Sequence, residues 1–442
     1  MNPPELLEED YRSRPELAAY YSDRKLMVRN VALIGLCQLG SGFAGIVAGP
    51  LIILELLELG VRENIQATIS SVNGFALSFL VMWFSWMSDH TVSKMGRRKP
   101  YLFASAPFLI FPMMAFPFLA ESHWVPLLIG LQIVKMLALD MKMSTFPLLS
   151  IDCVPRNLLA RANSVLLVAG GIMGFLAMRY TKNLILVADW FPYVLGGSVM
   201  LLTTATAWFI KEPPINHPAT EPFRPWSTFK TIGKDKRIFW LILGVAMING
   251  FLNMNNQWVW FWSKETLNLQ REDIFEALSW AHLINIVLAY PIGMIIDRWG
   301  GFRIVVMLWI GQVMCFAWAM NVTDKMGLIV LSLATTMIAP LYAAADIMVY
   351  KSADPKDVGS MTSSSACIRN MYNALLSLVA GWAIFLFSHN FRIGFIMGIV
   401  MSTVGLAMFF IHRRKMQQKP LSSPDSAGIL GKSNAAGTAG IG

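Results

Sequence analysis

The feature that most constrains this chain is its repetition of long apolar runs. About twelve stretches, each near the ~20 residues a bilayer-crossing helix needs, are separated by short polar breaks. Their cores fall near 30–57, 66–88, 100–120, 124–148, 159–181 and 190–210, then 238–262, 275–296, 302–321, 326–349, 360–387 and 391–411. In hydrocarbon a segment must satisfy its own backbone N–H and C=O groups, so runs of this length fold as helices. Composition agrees: 55% of the 442 residues are hydrophobic and 14% charged, against ~25% charged in a soluble domain. The expected class is an all-α integral membrane protein with twelve transmembrane helices in two six-helix bundles.

Residues 1–29 mix acids, bases and prolines without an apolar core, which predicts a cytoplasmic N-terminal tail and not a cleavable signal. The N-terminal bundle is expected over 30–210 and the C-terminal bundle over 238–412. Between them, 211–237 holds Pro213, Pro214, Pro218, Pro222 and Pro225 and reads as a cytoplasmic linker. The Ser/Gly/Ala-rich stretch 413–442 predicts a disordered cytoplasmic tail. The net charge of +9 sits in loops, with a roughly threefold excess of Lys and Arg on the side of the termini. Both termini are therefore expected in the cytoplasm, in an inner or plasma membrane. Topology and anionic headgroups account for the charge, and no basic aromatic groove suggests nucleic acid. Cys37, Cys153, Cys315 and Cys367 are scattered with no CxxC pair, so no metal or redox role is expected. No P-loop, HExxH or GxSxG supports an enzyme, no filter segment supports a channel, and no cofactor is expected.

The most informative polar break is Asp89-His-Thr-Val-Ser-Lys-Met-Gly-Arg-Arg-Lys-Pro-Tyr-Leu102. Gly96 lets the backbone turn, and Pro100 suits the first turn of the next helix. Asp89, Gly96, Arg97 and Arg98 form an expected gate latch, pairing with helix ends in one state and releasing in the other. Asp297-Arg298-Trp299-Gly300-Gly301 is the counterpart in the second half, as parallel repeats would have it. The acid, the spacer and Gly-Arg-Arg-Lys-Pro-Tyr-Leu resemble the loop between helices 2 and 3 of the glycoside–pentoside–hexuronide:cation symporters. They most resemble its form in plant-type sucrose transporters, within the major facilitator superfamily. Ala345-Asp346-Ile347-Met348-Val349-Tyr350 is similar to the end of the tenth helix in the same symporters. The resemblance spans about Asn30 to His412. It implies a major facilitator fold that moves a sugar or glycoside with protons by alternating access.

Charges inside apolar spans are costly and default to function. The fourth span carries Lys135, Asp140 and Lys142, and the spacing keeps Lys135 and Asp140 off one helical face. The resemblance implies that the fourth-span acid, here Asp140, takes part in cation coupling. It also sets Arg369, in the eleventh span, about where melibiose permeases carry a lysine. Arg369 is a permanent cation, and Asp140 is its expected anion; a purely structural clamp is the alternative. Sodium users of the family place two carboxylates in helix 2, where this chain has Leu77 and Val81, and Ser41 stands near their acidic sugar ligand. One titratable carboxyl can serve a proton, so proton coupling, or no coupling, is expected.

Candidate substrate ligands are Gln38, Lys135, Asn249, Asn253, Asn256 and Trp260. Amides donate to and accept from hydroxyls, while aromatic faces cover C–H patches. The three asparagines and Trp260 recur at three- or four-residue spacing on one face, although an interfacial aromatic belt also explains Trp258 to Trp262. His282 and Gln132 are expected as packed groups. On this reading the chain is a monomeric proton-coupled symporter of a small molecule. A transporter-fold sensor and a carrier of a non-sugar organic solute are the alternatives.

Overall fold

The computed structural model describes residues 15–154, 159–213, 236–299, 301–338, 348–349 and 358–417. Within these ranges the side chains of 15–18, 151, 159–167, 236–237, 250–257, 285, 288–299, 301, 358–364 and 416–417 fall outside the description. A short helix α1, Pro15–Ser22, precedes α2 Arg24–Glu58, α3 Glu63–His90, α4 Lys99–Ala120, α5 Val125–Cys153, α6 Leu159–Val187 and α7 Phe191–Ala205. A 3-10 turn at Thr206–Phe209 closes α7. The second half supplies α8 Lys236–Glu265, α9 Arg271–Trp299, α10 Gly301–Ala319, α11 Lys325–Ile338, α12 Val358–Leu386 and α13 Arg392–Gln417. Each expected span has its helix in order, from α2 to α13.

Local chemistry sets the helix ends. Asp23 accepts the Leu26 N–H and caps α2, while a proline opens the first turn of α4, α5 and α7, where its missing N–H costs nothing. α4 also holds Pro107, Pro112 and Pro117 in its interior, which a helix tolerates in a membrane when neighbours re-satisfy the freed carbonyls. By length and apolarity α2, α3, α4, α10 and α13 could each cross a bilayer. α5 carries three charges mid-helix, a load borne only against protein or water.

The N-terminal half packs α5 on α4 and α2 on α6 and α7; the C-terminal half packs α8 on α13 and α9 on α11. The halves meet where α3 lies along α12 and α6 along α9. Small residues bring the first pair close. A Cβ on Gly381 of α12 would stand 2.2 Å from the Ala67 Cβ, and one on Gly74 2.9 Å from that of Ala374. At such approaches dispersion and hydrogen bonds drive membrane-helix association; Ser71 donates to the Ala374 carbonyl at 2.7 Å. Outside, Phe108, Phe111, Leu202, Met314 and Val400 are exposed, as a lipid-facing surface requires.

Polar contacts continue past the ends of the expected spans. Tyr20 donates to the Lys211 carbonyl at 2.6 Å and Tyr21 to that of Asp152 at 2.8 Å. Asn30 exchanges two hydrogen bonds with the Lys211 backbone, at 2.9 and 3.2 Å. These contacts tie Tyr20, Tyr21 and the Lys211 backbone to the first-half helices on either side of the expected boundaries at 30 and 210. α13 runs to Gln417, past the expected end at 412. The rest of the linker and the tail lie outside the described residues.

Candidate functional site

α5 is buried along Leu128, Gln132, Lys135, Ala138, Lys142, Thr145 and Leu149 and exposed at Ile133, Val134, Leu137 and Met143. That is helical periodicity with one face toward protein. Both lysines lie on the buried face, ~10 Å apart along the axis. Lys142 donates to the Ser41 hydroxyl of α2 and stands 5.9 Å from the Phe146 ring centre. Lys135 is 9% exposed. Among the described residues no carboxylate acts on either ammonium.

Asp140 turns from that stripe toward α3, where it is 4% exposed and bonded to the Asn73 side chain. Its Oδ2 has no hydrogen-bond partner among the described residues. Arg369 was its expected partner; the bond described is to an amide of α3, a helix that packs on both α5 and α12. The two charges still approach one level of α3. Beside Asn73, a Cβ on Gly74 would lie 3.6 Å from the Asn370 carbonyl of α12, next to half-buried Arg369.

Gln38 and Asn249 are half-buried, while the side chains of Asn253 and Asn256 lie outside the described residues. Trp260 is 5% exposed and packs 5.1 Å from the Phe275 ring, inside the apolar core. Trp262 likewise meets Phe395 edge-on at 5.3 Å. Both rings, including that of the expected ligand Trp260, have protein neighbours here. His282 packs against Gly174, where a Cβ would stand 2.7 Å from its Nδ1. Gln132 is buried with its carbonyl oxygen unpartnered among the described residues. The side chains of Asp297, Arg298 and Asp346 lie outside the described residues.

The 89–98 loop is a compact charge cluster. Gly96 takes φ +109°, a region that favours glycine, and a Cβ there would strike the Glu212 carboxyl carbon at 2.5 Å. Glu212 accepts the backbone N–H of Arg97, Arg98 and Lys99 at 2.7, 3.1 and 2.9 Å. It thereby neutralises the positive N-terminus of α4. Arg97 and Arg98 reach Asp152, at the end of α5, at 2.7 and 3.1 Å, and Asp89 at 3.4 and 2.6 Å. All four expected latch residues of this loop meet here, joined by Asp152 and Glu212. A cavity of about 650 Å³ opens beside them, lined by Arg29, Lys94, Lys99 and Lys211 among others.

The opposite end joins the halves. Glu58 of α2 takes Arg271 at 3.0 Å and Lys264 at 3.4 Å, and Arg62 meets Glu265 at 3.4 Å. Glu276 of α9 takes Arg179 and Lys182 of α6 at 2.8 and 3.8 Å. Glu63, the first residue of α3, bonds to His389 after α12. Ion pairs between the halves, among described residues, lie at this far end, so the molecule is closed there. No local pattern marks these pairs, whose partners stand 94 to 326 residues apart.

A family model described as the Major Facilitator Superfamily matches residues 34–322. A solved variant of the nucleoside transporter NupG aligns with a TM-score of 0.70 and 11% identity, over 88% of this chain and 99% of that one. A bacterial homolog of the human lysosomal transporter Spinster, inward-facing and unoccupied, aligns with a TM-score of 0.61 and 13% identity, over 89% and 97%. At these identities the likeness is one of fold. No curated protein matches the chain.

Proposed function

The chain belongs to the Major Facilitator Superfamily, and we propose that it is a proton-coupled symporter of a sugar or glycoside. The membership itself makes it a multi-pass secondary transporter and not an enzyme. Asp140 carries the finer reading. Its carboxyl is buried, bonded to Asn73 on one side and, among the described residues, unpartnered at Oδ2. An amide serves either protonation state, donating to a carboxylate or accepting from an acid. Rocking of the halves moves α12 past α3 and changes the distance from Arg369 to Asp140. A charge whose surroundings differ between two states couples proton binding to the change of state. The sugar class is supported by the 89–102 and 345–350 motifs and by half-buried Gln38 and Asn249. With both termini cytoplasmic, the Asp89–Arg98 cluster stands at the inner gate.

A second reading takes the solute to be an organic anion. Lys135 and Lys142 present two cations on one buried face with no carboxylate acting on them among the described residues, and a buried cation is stable when an anion reaches it. Proteoliposomes with an imposed proton gradient, screened over sugars and organic acids, separate the readings. The wild-type chain should concentrate a sugar and take up protons with it. Asp140→Asn should lose accumulation yet keep exchange of labelled sugar. Accumulation surviving in Asp140→Asn would move the proton site elsewhere, and accumulation of acids alone would favour the second reading.

A further inference from the structure

We propose that Glu63, Glu265 and His389 form a divalent-cation site that clamps the two halves together at the far end, with zinc(II) its best-fitting ion. Glu63 opens α3 in the first half, Glu265 closes α8, and His389 sits in the turn after α12 in the second. One ligand atom from each lies within 4.8 Å of the other two. The Glu63 side chain is 0% exposed, and His389 Nδ1 contacts its Oε1. Glu63 Oε2 and Glu265 Oε2 are buried with no hydrogen-bond partner among the described residues. Arg62 reaches Glu265 from the rim at 3.4 Å, its own side chain 53% exposed. Two carboxylates thus converge on an imidazole with one loosely held guanidinium to balance them. A buried carboxylate has to be paired, protonated or bound to a metal.

The donor set chooses the ion. One imidazole nitrogen and two carboxylate oxygens, with water in a fourth position, are ligands that zinc takes at ~2.0–2.2 Å. Tetrahedral bonds of that length place ligand atoms ~3.3–3.6 Å apart, within the 4.8 Å spread. The metal would replace the proton shared by His389 and Glu63. Magnesium and calcium prefer oxygen alone and would leave the imidazole unused. Because the ligands come from both halves, the ion binds the closed far end and not the open one. Occupancy therefore favours that state by mass action and slows the transport cycle.

The test is zinc titration of the purified full chain in nanodiscs by calorimetry. One zinc per chain is expected. Glu63→Gln, Glu265→Gln and His389→Gln should each weaken it at least tenfold, since even outer-shell losses cost about 10–100-fold. Arg62→Gln removes the competing cation and should tighten binding, while His123→Gln, on the exposed turn after α4, should change nothing. A readout without variants is acylation of histidines by diethyl pyrocarbonate in the wild-type chain, where zinc should protect His389 and leave His123 reactive. No binding, binding indifferent to the three ligand substitutions, or equal labelling of His389 with and without zinc would each overturn the site.

Discussion

Replacing Gly381 with alanine should open the far end. A methyl there would stand 2.2 Å from the Ala67 Cβ, 3.0 Å from the Trp258 ring and 3.2 Å from the Glu63 carbonyl oxygen. Carbon atoms rest ~3.5–4.0 Å apart, so α3 and α12 must part by ~1.3–1.8 Å at this level. None of the three gives way easily: one is a Cβ, one a backbone oxygen and one the edge of a buried indole. Overpacking of this kind costs ~1–3 kcal/mol, and the cost falls only on the state in which the two helices touch here. Populations should then move about 5- to 150-fold toward the open far end. Spin labels on Ser122→Cys and Asn321→Cys, exposed far-end positions in opposite halves, would report the separation; the four native cysteines are buried. A longer distance component should grow in Gly381→Ala. An unchanged distance distribution in folded protein would refute the reasoning, whatever happened to its melting temperature.

Gly74→Ala, against Ala374 at 2.9 Å, should move the same distances in the same direction by less. Glu58→Ala should shift them little, since exposed ion pairs are worth ~0.2–1 kcal/mol each. Asp89→Ala should slow transport while leaving equilibrium binding near wild type, because Asp152 still holds both arginines; a large loss of affinity at normal protein levels would contradict a latch role. Asp152→Ala should lower the melting temperature more than Asp89→Ala, since Arg98 is 3% exposed and charged hydrogen bonds contribute ~1.5–3 kcal/mol. If organic anions are carried, Lys142→Met should weaken their uptake about tenfold or more, with neutral sugar uptake spared.

Period and length made the helices legible: twelve apolar runs became α2 to α13 in order, since lipid leaves a segment of that length few other options. The basic loop was legible too, because Asp89, Gly96, Arg97 and Arg98 are near neighbours in sequence and in space. Its remaining anions were harder. Asp152 and Glu212 lie 54 and 114 residues from Arg98, and nothing local says which helix end will arrive there. Asp140 was visible as a charge in an apolar span, but its amide partner was not, since Asn73 on α3 is one polar residue among several. Trp260 was read from spacing alone. Its spacing put it on a face with three asparagines, yet a ring of that size finds its neighbours in tertiary packing, here at Phe275. The far-end pairs were beyond reach, because charges at helix ends are common and pairing across 326 residues is decided by how two bundles meet.

Glu212 has a consequence for where this chain can be cut. Its carboxylate holds the start of α4, and the Lys211 carbonyl holds Tyr20 and Asn30, so the first residues after α7 are anchored parts of the N-terminal bundle. A gene divided after 213 would hand the first fragment both of its fasteners, whereas one divided after Ile210 would leave three backbone N–H groups and a pair of tyrosine and asparagine side chains looking for partners. Coexpressed fragments split at the later point should reassemble into a carrier, and those split three residues earlier should reassemble less well.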